Sequence, residues 1–279
     1  MNYRIIHSDN GTLKDLSVNL NKYTSGSEIT PLEAANDYLY VGARFPFNSF
    51  YTIVKEVNAI PSAISIEYWD GNEWKSAIEV LDQTEGLTKS GKISFVPSKQ
   101  YGWMMDDTVH SNDETEEITG LGNIVIYDHY WIRLKVSATL TPTTELSWIG
   151  VNFASDADLF LEYPLFDSTS MMAAYKTGKT SWQDQIVAAS ALVIEDLIAK
   201  KIIKGQEQIL DTDKLRSVTV SKTAQIIYKA LGDDYNDEKE AVTKEYYSRL
   251  NKSIFHVDEN SNARLDERET RLTQGYIYR

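Results

Sequence analysis

The sequence predicts an α+β protein, an antiparallel β-sandwich domain followed by a C-terminal α-helical bundle. Three observations carry this. Between Leu39 and about Phe153, aromatic and β-branched runs alternate with turn signals. From Trp182 onward the apolar residues recur at the spacing of one helix face. At 279 residues and 42% hydrophobic side chains, the chain is long enough for two domains at roughly 150 residues each. The pattern divides it into an N-terminal arm with a short helix (1–38), a sandwich domain (39–165), a helical domain (166–257) and a C-terminal loop and arm (258–279).

The elements follow in order. Thr30-Pro31-Leu32-Glu33-Ala34-Ala35 predicts a helix start, with threonine as cap and proline in the first turn. Ala63 to Trp69 alternates as a strand, Asp70-Gly71-Asn72 is a tight turn, and Glu73-Trp74-Lys75 returns. Lys92 to Val96 is the next strand, stopped by Pro97. Asn123 to Tyr127 and Tyr130 to Val136 form a pair, and Glu145 to Val151 closes the set. Between them, Asp106 to Glu117 is an acidic, turn-rich segment that predicts an exposed insertion. Pro164 interrupts the pattern near the domain boundary at Leu161 to Asp167. The first long helix starts at Trp182, with Ile186, Ala189, Val193, Leu197 and Ile198 on its inner face, and Gly205 stops it. A second spans roughly Thr212 to Leu231, burying Leu215, Val218, Ala224, Ile227 and Tyr228. The third spans about Asn236 to Phe255, with Ala241, Tyr246, Tyr247, Leu250 and Ile254 inward. Each face is too apolar to stand alone in water, so the helices pack on one another or on a partner.

Composition excludes several function classes. No run of about 18 apolar residues could span a bilayer, and the start of the chain lacks the apolar core of a secretory signal, so synthesis in the cytoplasm and no membrane association are expected. The absence of cysteine removes disulfides and thiolate chemistry, and His7, His110, His129 and His256 are too scattered for a zinc centre. A formal charge of −13 and a pI near 4.8 argue against a surface built to grip phosphates. No nucleophile elbow, P-loop or dinucleotide fingerprint is present, and no enzymatic role is expected. Acidic neighbours such as Asp106 with Asp107 or Glu116 with Glu117, adjacent in an exposed charge run, are not expected to face each other across a cleft as glycoside hydrolysis requires.

The helical region resembles the head-to-tail connector, or adaptor, proteins of tailed bacteriophages. The resemblance rests on the order of the three helices, on Lys222 to Leu231 closing the second, on Glu245-Tyr246-Tyr247-Ser248-Arg249-Leu250-Asn251-Lys252-Ser253 in the third, and on the Val257 to Asn262 turn. The stretches Glu67 to Trp74, Gly86 to Phe95 and Tyr130 to Leu134 are similar to a β-sandwich module of phage virion proteins, which small connectors lack. The resemblance implies a connector-type bundle in a virion protein of the neck. It implies a ring, usually of twelve copies, docked beneath the portal protein and receiving the next neck or tail protein. DNA would pass through its lumen without specific binding.

Two segments offer candidate sites. Asp258-x-Asn260-x-Asn262-Ala263-Arg264-Leu265-Asp266-x-x-Glu269 has calcium-loop spacing, which gives Asp258, Asn260, Asn262, Arg264 (by its carbonyl), Asp266 and Glu269 the ligand positions for Ca2+. Ala263 stands where glycine normally supplies the turn, and the other reading is a turn that caps the third helix. The tail mixes basic and aromatic residues. It is either a frayed end or a partner-binding arm of Arg271, Leu272, Tyr276, Ile277, Tyr278 and Arg279, reaching a neighbouring groove or strand edge. Trp69, Trp74, Trp103, Trp131 and Trp148 could form a sugar platform, the basis of an alternative role as a carbohydrate-binding or baseplate component; packing in the core is the stronger expectation.

Overall fold

The computed structural model describes residues 3–23, 26–100, 102–105, 118–121, 129–266 and 269. The fold is mixed α+β, with two antiparallel sheets in the N-terminal part and the longer helices in the C-terminal part. It divides into two compact units, one of Met1–Gly150 with Asn260–Arg264 and one of Val151–Glu259 with Leu265–Arg279.

In the first unit the strands are β1 (Arg4–Asp9), β2 (Thr12–Asp15), β3 (Glu28–Ile29), β4 (Tyr38–Ala43), β5 (Ser49–Glu56), β6 (Ile64–Trp69), β7 (Trp74–Ser76), β8 (Glu79–Asp82), β9 (Gly91–Val96), β10 (Tyr130–Val136) and β11 (Glu145–Gly150), with a short helix α1 (Ser17–Leu20). One sheet runs β2-β1-β4-β10-β6-β7 and the other β3-β11-β5-β9-β8. Their inner faces share one core. Register explains why. Ile5 pairs with Val41, Val41 with Ile132 and Ile132 with Tyr68, so one apolar row crosses four strands. Because the side-chain period is two, the next core-facing row is His7, Leu39, Leu134 and Ile66. The row between them faces outward and carries Ile6, Tyr40, Arg133 and Glu67. Ile6 and Tyr40 join Trp69, Trp131, Ile118 and Leu121 in a smaller apolar cluster on that side.

The predicted strands at 63–69, 92–96, 130–136 and 145–151 form as β6, β9, β10 and β11. Asp70 makes the predicted turn by accepting from the backbone N–H groups of Asn72 (2.9 Å) and Glu73 (2.8 Å), with Gly71 at positive φ. The strand at Asn123 to Tyr127 and the insertion at Asp106 to Glu117 lie outside the described residues. The first residues, read as an arm, form the hairpin β1–β2 across Asn10-Gly11, both at positive φ as such a turn requires. Thr30 to Ala35 is not helical. Its backbone is tied to other segments instead, Thr30 N–H donating to the Thr144 carbonyl (2.9 Å) and the Leu32 carbonyl accepting from Leu140 N–H (3.0 Å).

The second unit contains α2 (Asp156–Glu162), α3 (Thr169–Tyr175), α4 (Gln183–Ala199), α5 (Arg216–Leu231) and α6 (Asn236–Lys252). The three long helices stand where the periodicity places them, with Thr212–Leu215 forming a 3-10 turn ahead of α5. A reciprocal cap starts α2: Ser155 Oγ accepts from Asp158 N–H, and the Asp158 carboxylate accepts from Ser155 N–H. Ile186, Ala189, Val193 and Leu197 of α4 are buried as predicted, and so are Leu215, Val218, Ala224, Ile227 and Tyr228. On α6 the inner seam is Val242, Tyr246 and Leu250, a four-residue spacing that turns Ala241 and Tyr247 outward. Ile198 and Ile254, also predicted inward, are exposed.

His7 occupies a core position and is buried, with no hydrogen-bond partner at Nε2 among the described residues. Burial pushes its pKa below the ordinary value, and the carboxylates of Asp37 and Asp9 pull the other way. With the folded value depressed, stability is full above about pH 6.5, where the imidazole is neutral in both states. It is lost as pH falls through the folded value, because the unfolded chain takes up a proton that the folded one resists. Thermal melts between pH 7.5 and 5.5 are expected to show a steeper loss for the wild type than for His7→Leu; equal slopes would contradict this assignment.

Candidate functional site

The helical unit is fastened by polar side chains that link its helices. Tyr246, buried on α6, donates its phenol to Asp196 of α4 (2.5 Å), and Lys222 of α5 lies 3.6 Å from the same carboxylate and 4.3 Å from the Tyr246 ring centroid. Burial raises the Tyr246 pKa, and the hydrogen bond to Asp196 raises it further, so the phenol stays a donor. A second cluster joins α2 to α6. Arg249 pairs with Glu162 and with Glu245 (2.6 Å), and donates to the Ser217 carbonyl (2.9 Å). Tyr163 donates to the other oxygen of Glu245 (2.7 Å). Burial opposes the charge on Arg249, but the Glu162 hydrogen bond and the charges of Glu162 and Glu245 together outweigh it and its pKa rises. The Tyr163 pKa is raised by burial first and by Glu245 second. Phenols held protonated and carboxylates held by cations make links between helices, not acid–base pairs poised to exchange protons.

Lys179 is a further enclosed cation of the unit. Its ammonium lies 4.9 Å from the Trp182 ring centroid and 5.5 Å from that of Tyr175, with Asp184 at 3.9 Å. Burial lowers its pKa against the pull of Asp184 and Asp156. Trp182 is fully buried, and its indole N–H donates to the Phe166 carbonyl (2.8 Å). Lys179 therefore closes an aromatic stack by a cation–π contact.

The turn after α6 is anchored by a short antiparallel pairing. Asp258 N–H donates to the Gln208 carbonyl (2.8 Å), Leu210 N–H to the His256 carbonyl (3.1 Å), and Ile209 faces Val257. Asp258 and Glu269 are both buried. Glu269 accepts from Glu259 N–H through one oxygen (3.0 Å) and from Asp266 N–H through the other (2.8 Å). Asn262 accepts from Arg264 N–H (2.8 Å), and the Arg264 guanidinium donates to the Ser98 carbonyl (2.6 Å). Ala263 adopts the left-handed turn that glycine normally supplies, at φ +56°, and Ser261 does so at +59°. Among the described residues no group of three or more histidine, aspartate or glutamate side chains is placed to hold a metal ion. The arm residues Arg271, Leu272, Tyr276, Ile277, Tyr278 and Arg279 lie outside the described residues.

The tryptophans are structural. Trp69, Trp131 and Trp148 are buried, and Trp103 packs on the core between the sheets. The Trp74 ring carries the Arg133 guanidinium 4.8 Å from its centroid. Sequence reasoning missed the outer face of α4, where Ala188, Ala191, Leu192, Ile198 and Ala199 are exposed, with Asp184 in the first turn and Glu195 as the charges on that face. The signal was in the sequence, because Gln183–Ala199 is apolar on nearly every face and such a helix is normally covered on all sides. The sequence matches no protein-family model, and no curated protein matches it.

Two substitutions test these readings. Tyr246→Phe should cost about 1–3 kcal/mol, the worth of a hydrogen bond to a charged group, read as a lower urea midpoint with an unchanged m-value. Ser261→Gly should stabilise by up to about 1 kcal/mol, since the side chain is exposed and only its left-handed backbone opposes it. A fall in melting temperature for the glycine variant would contradict the turn geometry.

Proposed function

We propose that this chain is a structural virion protein, a head-to-tail adaptor of a tailed-bacteriophage neck that forms a ring and acts without a catalytic centre. The observation that carries the reading is the exposed apolar face of α4, set in a unit whose enclosed charges fasten helix to helix. Such a unit is built to be covered by neighbours. The three-helix order after a β-rich unit agrees with the resemblance to connectors, and a bundle of connector type is part of the proposal. Its partners are further copies of itself, the portal protein on one side and the next neck or tail protein on the other. The net charge of −13 suits a lumen through which DNA moves without being held, because like charge removes the electrostatic term that dominates non-specific binding.

Imaging tailed particles that carry a tagged copy of the chain tests the proposal. The tag is expected in a ring at the capsid vertex, between portal and tail. Label at the baseplate, on fibres or over the capsid surface would overturn it.

A further inference from the structure

We infer that the exposed face of α4 is covered by the outer face of α6 from a second copy of this chain. This rests on the ring reading and names the surfaces that would make it. The α4 face presents Ala188, Ala191, Leu192, Glu195, Ile198 and Ala199, with Leu192 36% and Ile198 41% exposed. Its alanines allow close helix approach. The α6 face presents Glu240, Ala241, Lys244, Tyr247 and Ser248, with Tyr247 48% exposed.

The two faces are complementary in sequence order. Within one copy α4 and α6 run in the same direction, since Asp196 meets Tyr246 and, one turn on, Lys200 meets Asn251. Neighbours in a many-membered ring differ by a small rotation, so α4 of one copy also runs along α6 of the next. In that direction Leu192 falls against Ala241, Glu195 against Lys244, Ile198 against Tyr247 and Ala199 against Ser248. Each large apolar side chain then meets an apolar partner, and Glu195, the charge on the α4 face beyond Asp184 of its first turn, meets a lysine. Glu195 has no ion pair among the described residues, while Lys244 has only an exposed contact with Glu240 at 3.6 Å. That contact is weak enough to be exchanged. The faces differ from each other, so every copy offers one of each and the contact repeats around a ring instead of closing as a pair.

The absence of cysteine lets single-cysteine variants report one contact at a time. Full-length Leu192→Cys is mixed with full-length Ala241→Cys under mild oxidation, after circular dichroism has shown both to be folded. A disulfide-linked mixed dimer is expected. It should form severalfold faster than from Leu192→Cys with Tyr247→Cys, the pair that an antiparallel two-fold contact would bring together. Adding Glu195→Lys to the first chain should slow the cross-link severalfold, and adding Lys244→Glu to the second should restore it. No product between positions 192 and 241, a faster product between 192 and 247, or indifference to charge reversal would overturn the inference. The neck reading fails separately, by imaging, since label away from the vertex leaves the cross-linking result as measured.

Discussion

The second unit depends on the enclosure of α5. Val218, Thr219, Val220, Ser221, Thr223, Ala224, Ile227 and Tyr228 are all buried, which covers most of the helix circumference. Helices α2, α3, α4 and α6 lie against it. Burial of the Ser221 and Thr223 hydroxyls is tolerable because they bond back along the helix, Ser221 to the Ser217 carbonyl (2.7 Å) and Thr223 to the Thr219 carbonyl (2.8 Å), whereas the Thr219 hydroxyl has no hydrogen-bond partner among the described residues. Their small side chains let the neighbours come close. Since α4 and α6 must each turn a face to α5, each is left with an opposite face, and the composition of those outer faces decides what the unit can do. On α6 the outer face is mixed, and on α4 it is largely apolar.

The first unit follows a different constraint, register. Once Ile5, Val41, Ile132 and Tyr68 form one row, alternation leaves no choice about the rest, and His7 is drawn into the core by its neighbours. Glycine has the complementary role. Gly42 pairs with Trp131, and a Cβ there would stand 2.8 Å from the indole ring. The ring lies across the strand because nothing projects from that position.

Much of this fold was legible because the signals are periodic. Helices α4, α5 and α6 and strands β6, β9, β10 and β11 each carry enough residues for the period to emerge. Strands β1 and β2 are less legible, although Asn10-Gly11 is a strong hairpin signal, because both runs are short and Arg4, His7, Asp9, Lys14 and Asp15 interrupt their apolar pattern. Helix α2 was missed for a related reason, since its Ser155/Asp158 cap uses the shorter acid in place of glutamate. The inner face of α6 was misjudged at Ala241 and Tyr247 because apolar identity alone cannot separate two adjacent stripes when both carry apolar residues. The polar links were not legible at all. Asp196 with Tyr246, and Arg249 with Glu162, join residues on different helices, and only packing brings them together.

The size of the α4 face constrains how it can be used. Fully burying a leucine, isoleucine or tyrosine side chain yields about 1.5–3 kcal/mol. Leu192, Ile198 and Tyr247 are already more than half buried, so covering the remainder yields only about half of that range each. The sum is a few kcal/mol, below the roughly 4–15 kcal/mol of translational and rotational freedom lost when two molecules associate. One such contact between free copies is therefore transient, long enough for a paired cysteine to trap it by oxidation but not to hold a dimer. When a template already holds neighbouring copies side by side, that entropy has largely been lost to the template contacts, and the same small apolar area favours the contact almost in full. A face of this size thus favours contact only between copies already held side by side, whereas a larger apolar face would associate free copies in solution.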